Sequence, residues 1–163
     1  MSNLAVFEAQ TAEIFSLLYE SFPVKIDVYR HQVSKGLKPI DSFGDELDFP
    51  SSVGYFDDYY ASFDVFSQSD EYQKEYQVFS ATMDWLSSSG YIAFGSLVSY
   101  DYYEDVVLTA KGLEVLKCTP SCIDGSLSLG EKLKEETLSS GSDVARDLVK
   151  QALREGLKMA IGI

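Results

Sequence analysis

Residues 70–89 read DEYQKEYQVFSATMDWLSSS, and this stretch carries the clearest structural signal in the chain. Large apolar side chains recur along it at intervals of four, three, four and three residues, which is the spacing of one helix face. The residues on that face are Tyr72, Tyr76, Phe79, Met83 and Leu86. Asp70, followed three residues later by Gln73, predicts the start of the helix, and Gly90 predicts its end.

The residues after this helix predict a β-hairpin and then a further short helix. YIAFGSLVS (91–99) and EDVVLT (104–109) are rich in β-branched and aromatic residues, so each run predicts a strand. The intervening SYDYY predicts a turn longer than two residues. Thr109 predicts the N-cap of a helix that continues through Leu116, in which Gly112 is a modest cost to helix propensity.

The segments before residue 70 have less uniform patterns. Residues 4–19 have helical spacing and predict a first helix that ends at Phe22–Pro23. VKIDVYRHQV (24–33) fits a short strand or a second helix. Gly, Pro, Ser and Asp are dense over 36–52, which predicts an exposed loop, and GYFDDYYASFDVF (54–66) predicts a short aromatic helix.

The carboxy-terminal part differs from the rest of the chain in charge. Residues 126–163 contain six acidic and six basic residues, so residues 1–125 carry the whole net charge of −13. Two helices are predicted, near 127–138 and near 142–160. Apolar residues cover about half the circumference of the second, which is too wide for a helix surrounded by water. We expect this helix to dock on the rest of the chain or to form a homodimer. Its candidate contact residues are Leu148, Leu153 and Leu157.

The order of these elements resembles that of a winged-helix domain over about residues 4–118. A long first helix and a middle helical region precede a capped helix that ends in SSSGYI, a hairpin and VVLTAKGLEVLK. LTAKGLEVL (108–116) is similar to the segment of many bacterial winged-helix regulators in which the second wing strand enters the next helix. In this resemblance, helix 70–89 corresponds to the recognition helix and residues 100–104 to the wing tip.

The predicted fold class is therefore mainly α with a small β-hairpin (α+β). The resemblance implies a winged-helix-like domain over residues 1–120, with an acidic aromatic insertion at about 36–70. Residues 126–163 are predicted to form a C-terminal helical extension of that domain.

The charge of the middle region argues against nucleic acid as a partner. Residues 41–105 contain 14 acidic residues and one basic residue. Winged-helix proteins that bind DNA supply Arg and Lys from the recognition helix and wing, whereas carboxylates at those positions repel phosphates. A protein partner is favoured instead, and Tyr is among the residues enriched at protein interfaces. The candidate partner-binding residues are Tyr59, Tyr60, Glu71, Glu75, Asp84, Asp101 and Glu104.

Catalytic, cofactor and metal motifs are missing from the sequence. His31 is the one histidine, and it is accompanied by no nucleophile motif, phosphate-binding loop or dinucleotide fingerprint. The acidic loop at 41–48 lacks the spacing of a calcium-binding EF-hand. We therefore predict no enzyme activity, no cofactor and no metal site. Cys118 and Cys122 are predicted to be free thiols, and a disulfide around Pro120 or a metal or redox role are the alternatives.

The amino terminus lacks the pattern of a secretory signal, and no apolar run is long enough to cross a bilayer, so we predict a cytoplasmic protein with membrane association unlikely. The leading hypothesis is a non-enzymatic, winged-helix-like protein–protein interaction or regulatory adaptor with an acidic face. One alternative is a transcriptional regulator that binds DNA through a less acidic face or in a complex. Another is an acidic DNA mimic that inhibits a nucleic-acid-binding protein.

Overall fold

A computed structural model describes residues 2–33, 70–99, 102–118, 127–138 and 142–161. The helices in these ranges are α1 (Asn3–Ser21), α2 (Arg30–Val33), α3 (Asp70–Ser88), α4 (Ala110–Lys117), α5 (Leu129–Leu138) and α6 (Ser142–Ala160). The strands are β1 (Ile26–Tyr29), β2 (Ile92–Ala93), β3 (Ser96–Ser99) and β4 (Tyr102–Leu108). The prediction of a mainly α fold with a small β component is confirmed.

Helix α3 matches its sequence prediction closely. It begins at Asp70, and Phe79, Met83 and Leu86 on its inner face are fully buried. Gly90 follows the helix with a φ of 85°, a conformation that glycine adopts without the steric cost of a Cβ atom. The chain turns there, and the Tyr91 amide donates to the carbonyl of Leu86.

The two alternatives for residues 24–33 both occur, one after the other. Residues 26–29 form β1, and α2 starts immediately at Arg30. The exposed Gln32 supports this change of direction, because its side-chain oxygen accepts a hydrogen bond of 3.0 Å from the Tyr29 amide. Val28 and Val33 are buried, so both short elements contribute to the core.

Strand β4 is the centre of an antiparallel four-stranded sheet. β1 pairs with it along one edge, while β2 and β3 share its other edge. The predicted single strand over 91–99 is therefore wrong in one respect, since it divides at Phe94–Gly95 into β2 and β3. The predicted wing tip is wrong for residues 102–104, which lie in β4 because both edges of that strand find partners there.

A β-bulge interrupts the pairing of β1 with β4. Ile26 lies opposite Val106 and Val28 opposite Tyr103, so two steps along β1 match three along β4. Asp105 occupies the extra position with a φ of 55°, which is uncommon for a residue other than glycine. Its amide donates to Oδ1 of Asp27 at 3.3 Å. The bulge lets both Tyr103 and Val106 face the core.

Replacing Asp105 by glycine is expected to stabilise the fold by about 0.5–1 kcal/mol, because glycine accepts a positive φ without a clash. Asp105→Ala keeps the steric conflict and should destabilise the chain relative to Asp105→Gly. Urea unfolding of both variants measures the difference. Equal free energies of unfolding for the two variants would show that backbone strain at residue 105 is negligible.

One hydrophobic core joins the amino-terminal and carboxy-terminal parts of the described chain. Helix α1 lies at its centre and packs against α3, α5 and α6. The fully buried side chains of α1 include Ile14, Phe15 and Leu18. Leu129 and Leu133 of α5 belong to the same core, so the carboxy-terminal helices are part of it rather than a separate layer.

An ion pair also joins α1 to α6. The Glu8 side chain is buried, and its Oε2 atom lies 3.4 Å from Nε of Arg146 and 3.7 Å from Nζ of Lys150. A buried carboxylate without such partners would cost several kcal/mol. These contacts favour one orientation of α6 on α1.

Candidate functional site

An acidic surface with two tyrosines lies on the outer side of β1 and β4. We call this surface the acidic sheet face. It consists of Asp27, Tyr29, Tyr102, Glu104 and Asp105. Successive side chains of a strand point to opposite sides of a sheet. Val28 and Tyr103 are buried on the inner side, so the neighbours of each lie on the outer side. β1 and β4 together contain these three carboxylates and no Lys or Arg.

The two tyrosines of the acidic sheet face stack on each other. The ring centroids of Tyr29 and Tyr102 lie 4.8 Å apart with an interplanar angle of 24°. Desolvation raises the pKa of the Tyr102 hydroxyl, and the nearby Glu104, Tyr29 and Asp27 raise it further. The hydroxyl therefore remains a neutral hydrogen-bond donor at physiological pH, while the carboxylates beside it make the surroundings negative.

Two basic residues flank β1 on either side of the acidic sheet face. Lys25 is exposed just before the strand. Arg30 follows it, but the Arg30 side chain is buried and its guanidinium carbon lies 5.0 Å from the ring centroid of Tyr76. Arg30 is therefore engaged with α3. The arrangement offers carboxylate acceptors beside half-buried aromatic rings, which is the chemistry that binds Lys and Arg side chains.

A groove of about 670 Å³ forms a second, apolar surface between α1, α3 and α6. We call it the apolar groove. Its lining residues are Asn3, Leu4, Phe7, Lys74, Gln77, Val78, Ala81, Thr82, Trp85 and Leu153. Leu4 is 65% exposed and Trp85 is 44% exposed, so two large apolar side chains of this groove are open to solvent.

Trp85 is the one tryptophan of the chain, and aromatic neighbours hold it in the groove. Its ring meets Phe7 edge to face at 5.3 Å and stacks against Tyr91 at 6.1 Å. Thr82 lies on the same helix and is 1% exposed, and its hydroxyl has no hydrogen-bond partner among the described residues. An unpaired buried hydroxyl costs about 1–3 kcal/mol.

The apolar groove continues onto the exposed end of α6. Leu153 lines the groove, and residues four apart on a helix share a face. Leu157 lies one turn beyond Leu153 and is 61% exposed, and Ile161 lies one turn further and is also exposed. These three residues form a stripe, which we call the α6 stripe.

The structure brings few of the predicted site residues together. Asp84 is exposed on α3, and Glu104 is half-buried in β4. The two lie on opposite sides of β4, because Tyr103, between the strand and α3, shares a hydrogen bond with Ser80. Glu71 and Glu75 belong to the first turns of α3. The remaining predicted partner-binding residues, Tyr59, Tyr60 and Asp101, lie outside the described residues.

The three leucines predicted as contacts of α6 have different surroundings. Leu148 is 3% exposed in the core, and Leu153 is half-buried against it. Leu157 faces solvent. The inner side of α6 packs against α1, α4 and α5.

Sequence reasoning missed Asp27, Tyr29, Tyr102 and Trp85. Asp27 and Tyr29 alternate with Val28, which is a strand signal, but the segment fitted a helix as well. Trp85 had a clear signal. It falls off the apolar face of helix 70–89, and a large aromatic residue at an exposed helix position is a common mark of an interface.

Among the residues that the structure describes, no group of three or more His, Cys, Asp or Glu side chains could hold a metal ion. Cys118 is a free thiol that donates to the carbonyl of Glu114, and burial raises its pKa, so it is protonated at neutral pH. Within the same ranges, no helix combines the length and apolar character needed to span a membrane. Cys122 and the acidic loop at 41–48 lie outside them, and His31 belongs to α2.

No protein-family model, curated protein or solved structure matches this chain.

Proposed function

We propose that this chain is a non-enzymatic, winged-helix-like regulatory adaptor that binds a basic segment of a partner protein through the acidic sheet face. The observation that carries the proposal is the stacked pair of Tyr29 and Tyr102, with the carboxylates of Asp27 and Glu104 close to the Tyr102 hydroxyl. Arginine suits such a surface, since its planar guanidinium stacks on aromatic rings and pairs with carboxylates.

The order of elements supports the winged-helix part of the proposal. Helix α3 is followed by β2 and then by the hairpin of β3 and β4, and Thr109 starts α4 directly after β4. β1 completes the sheet on the other edge of β4. This is the order expected of a helix-turn-helix core with one wing.

The surface charge favours protein over DNA as the partner. Asp84 and Trp85 are on the exposed side of α3, the helix that would correspond to the recognition helix, and Lys74 is its one basic residue. A duplex brought to this surface would release few counterions, so the electrostatic gain that dominates DNA affinity would be small.

A charge-altered variant tests the proposal, with an arginine-rich peptide as the probe. Asp27→Asn combined with Glu104→Lys should weaken peptide binding roughly tenfold, because it removes or reverses two carboxylates beside the tyrosines. The asparagine introduced by the first substitution retains a side-chain oxygen that can accept the hydrogen bond from the Asp105 amide. Calorimetric titration at physiological salt measures the affinity.

The matched control changes the net charge equally at another surface. Glu131→Gln with Glu135→Lys alters two exposed residues of α5 and should leave the affinity within about twofold. An equal loss of peptide affinity in both variants would mean that net charge alone attracts the peptide. A mobility shift of mixed-sequence duplex DNA that weakens with salt would favour the transcriptional regulator instead and contradict the proposal. Competition between duplex DNA and this chain for a DNA-binding protein, lost at high salt, would favour the DNA mimic.

A further inference from the structure

We propose that the apolar groove is filled by Leu157 and Ile161, the exposed part of the α6 stripe, from a second copy of this chain in a twofold-symmetric dimer. This surface is distinct from the acidic sheet face, and the inference does not depend on the proposed function. Each copy would insert Leu157 and Ile161 into the groove of the other, beside Trp85.

The shape of the patch is the first support for a second copy. Leu153 lines the groove, and Leu157 and Ile161, one and two helical turns further along the chain, are exposed. A patch that carries a cavity and a matching projection side by side complements itself when rotated by a twofold axis. The two contacts then form together, and the assembly closes at two copies.

Charge complementarity is the second support. Asp84 is exposed on α3 next to Trp85, which lines the groove. Arg154 and Lys158 are exposed next to Leu153 and Leu157 on α6, and Lys158 also lies 3.2 Å from Oε1 of Glu155. The twofold arrangement places these two bases near Asp84 of the other copy. A pairing of α3 with α3 would instead bring like charges together.

The exposed apolar area is the third support. Leu4, Trp85, Leu157 and Ile161 are each more than 40% exposed, while most large apolar side chains of the described chain are buried. Contiguous apolar surface of this kind marks interaction sites in soluble proteins. The Trp85 ring, held by Phe7 and Tyr91, can enter a contact with little loss of side-chain entropy.

Sedimentation analysis of the full chain over a range of concentrations tests the dimer. The wild type should show a monomer–dimer equilibrium, and the emission of Trp85 should shift to the blue as the dimer forms. Leu157→Glu should weaken association about a hundredfold or more, because each leucine contact occurs twice in a symmetric dimer. Val144→Glu, on the same helix but outside the stripe and also exposed, should leave association unchanged.

A mixing experiment identifies the two contacting surfaces. Leu4→Lys on the groove side and Leu157→Glu on the stripe side should each be monomeric alone. Mixed together, they should recover a heterodimer, since one interface keeps both leucines and the other pairs the introduced lysine with the introduced glutamate. A wild type that stays monomeric, a mass that grows beyond two copies, or equal loss with Val144→Glu would overturn the proposal. If the mixture of the two variants forms no heterodimer, the proposed contact between the groove and the stripe is wrong.

Discussion

Replacing Leu148 by alanine is expected to lower the free energy of unfolding by about 2–5 kcal/mol. Leu148 is 3% exposed on the inner side of α6, which packs against α1, α4 and α5. Shortening the Leu148 side chain leaves a cavity in the core that the amino-terminal and carboxy-terminal parts of the chain share. A domain of this size is stable by only about 5–15 kcal/mol, so the loss is a large share of the total. Urea unfolding followed by circular dichroism measures it.

Leu157→Ala is the matched control for Leu148→Ala. The same substitution on the same helix, at a residue that is 61% exposed, should change the free energy of unfolding by less than about 0.5 kcal/mol. The measurement is made at a concentration low enough to keep the chain monomeric. If the two variants lose equal stability, or if Leu148→Ala loses none, α6 does not pack in the orientation described.

Replacing Gly112 by alanine is expected to destabilise the chain by at least about 2 kcal/mol. Helix propensity alone predicts the opposite sign, a gain of about 1 kcal/mol. The packing decides the outcome, because a Cβ atom at this position would overlap the backbone carbonyl oxygen of Tyr91. That oxygen accepts a hydrogen bond from the Thr109 amide, which fixes the start of α4 after β4.

Thermal unfolding of Gly112→Ala beside Glu114→Ala separates packing from propensity. Glu114 is exposed on the same helix, so alanine there should change the stability by less than about 0.5 kcal/mol. A rise in melting temperature for Gly112→Ala would mean that α4 does not approach Tyr91 as closely as described.

The elements with strong local signals could be predicted from the sequence. Helix α3 has a regular apolar face and a glycine at its end, and Thr109 caps α4 by accepting a hydrogen bond from the Gly112 amide. Both features depend on residues within a few positions of each other. Local sequence predicts only a modest cost to helix propensity at Gly112, since its contact with Tyr91 comes from a segment 21 positions away in the sequence.

The sheet could be predicted only in part, because strand pairing depends on distant residues. The apolar and β-branched pattern of residues 104–109 predicts a strand. That strand begins earlier, at Tyr102, because Tyr102 and Tyr103 pair with β1 and β3. The bulge at Asp105 has no clear sequence signal, since aspartate is not the usual residue for a positive φ. The candidate site also depends on strand pairing between distant residues. Glu104 was predicted as a partner-binding residue, whereas Asp27 and Tyr29 join it only through the pairing of β1 with β4.

The most direct test of the acidic sheet face is to map where a basic ligand binds. Amide chemical shifts of the isotope-labelled chain, followed during titration with an arginine-rich peptide, report the contact residue by residue. If the acidic sheet face binds the peptide, the largest changes occur at Asp27, Tyr29, Tyr102 and Glu104, and the changes along α5 and α6 are small. Changes that are largest around Trp85 and Leu153, or spread evenly over all exposed carboxylates, would contradict it.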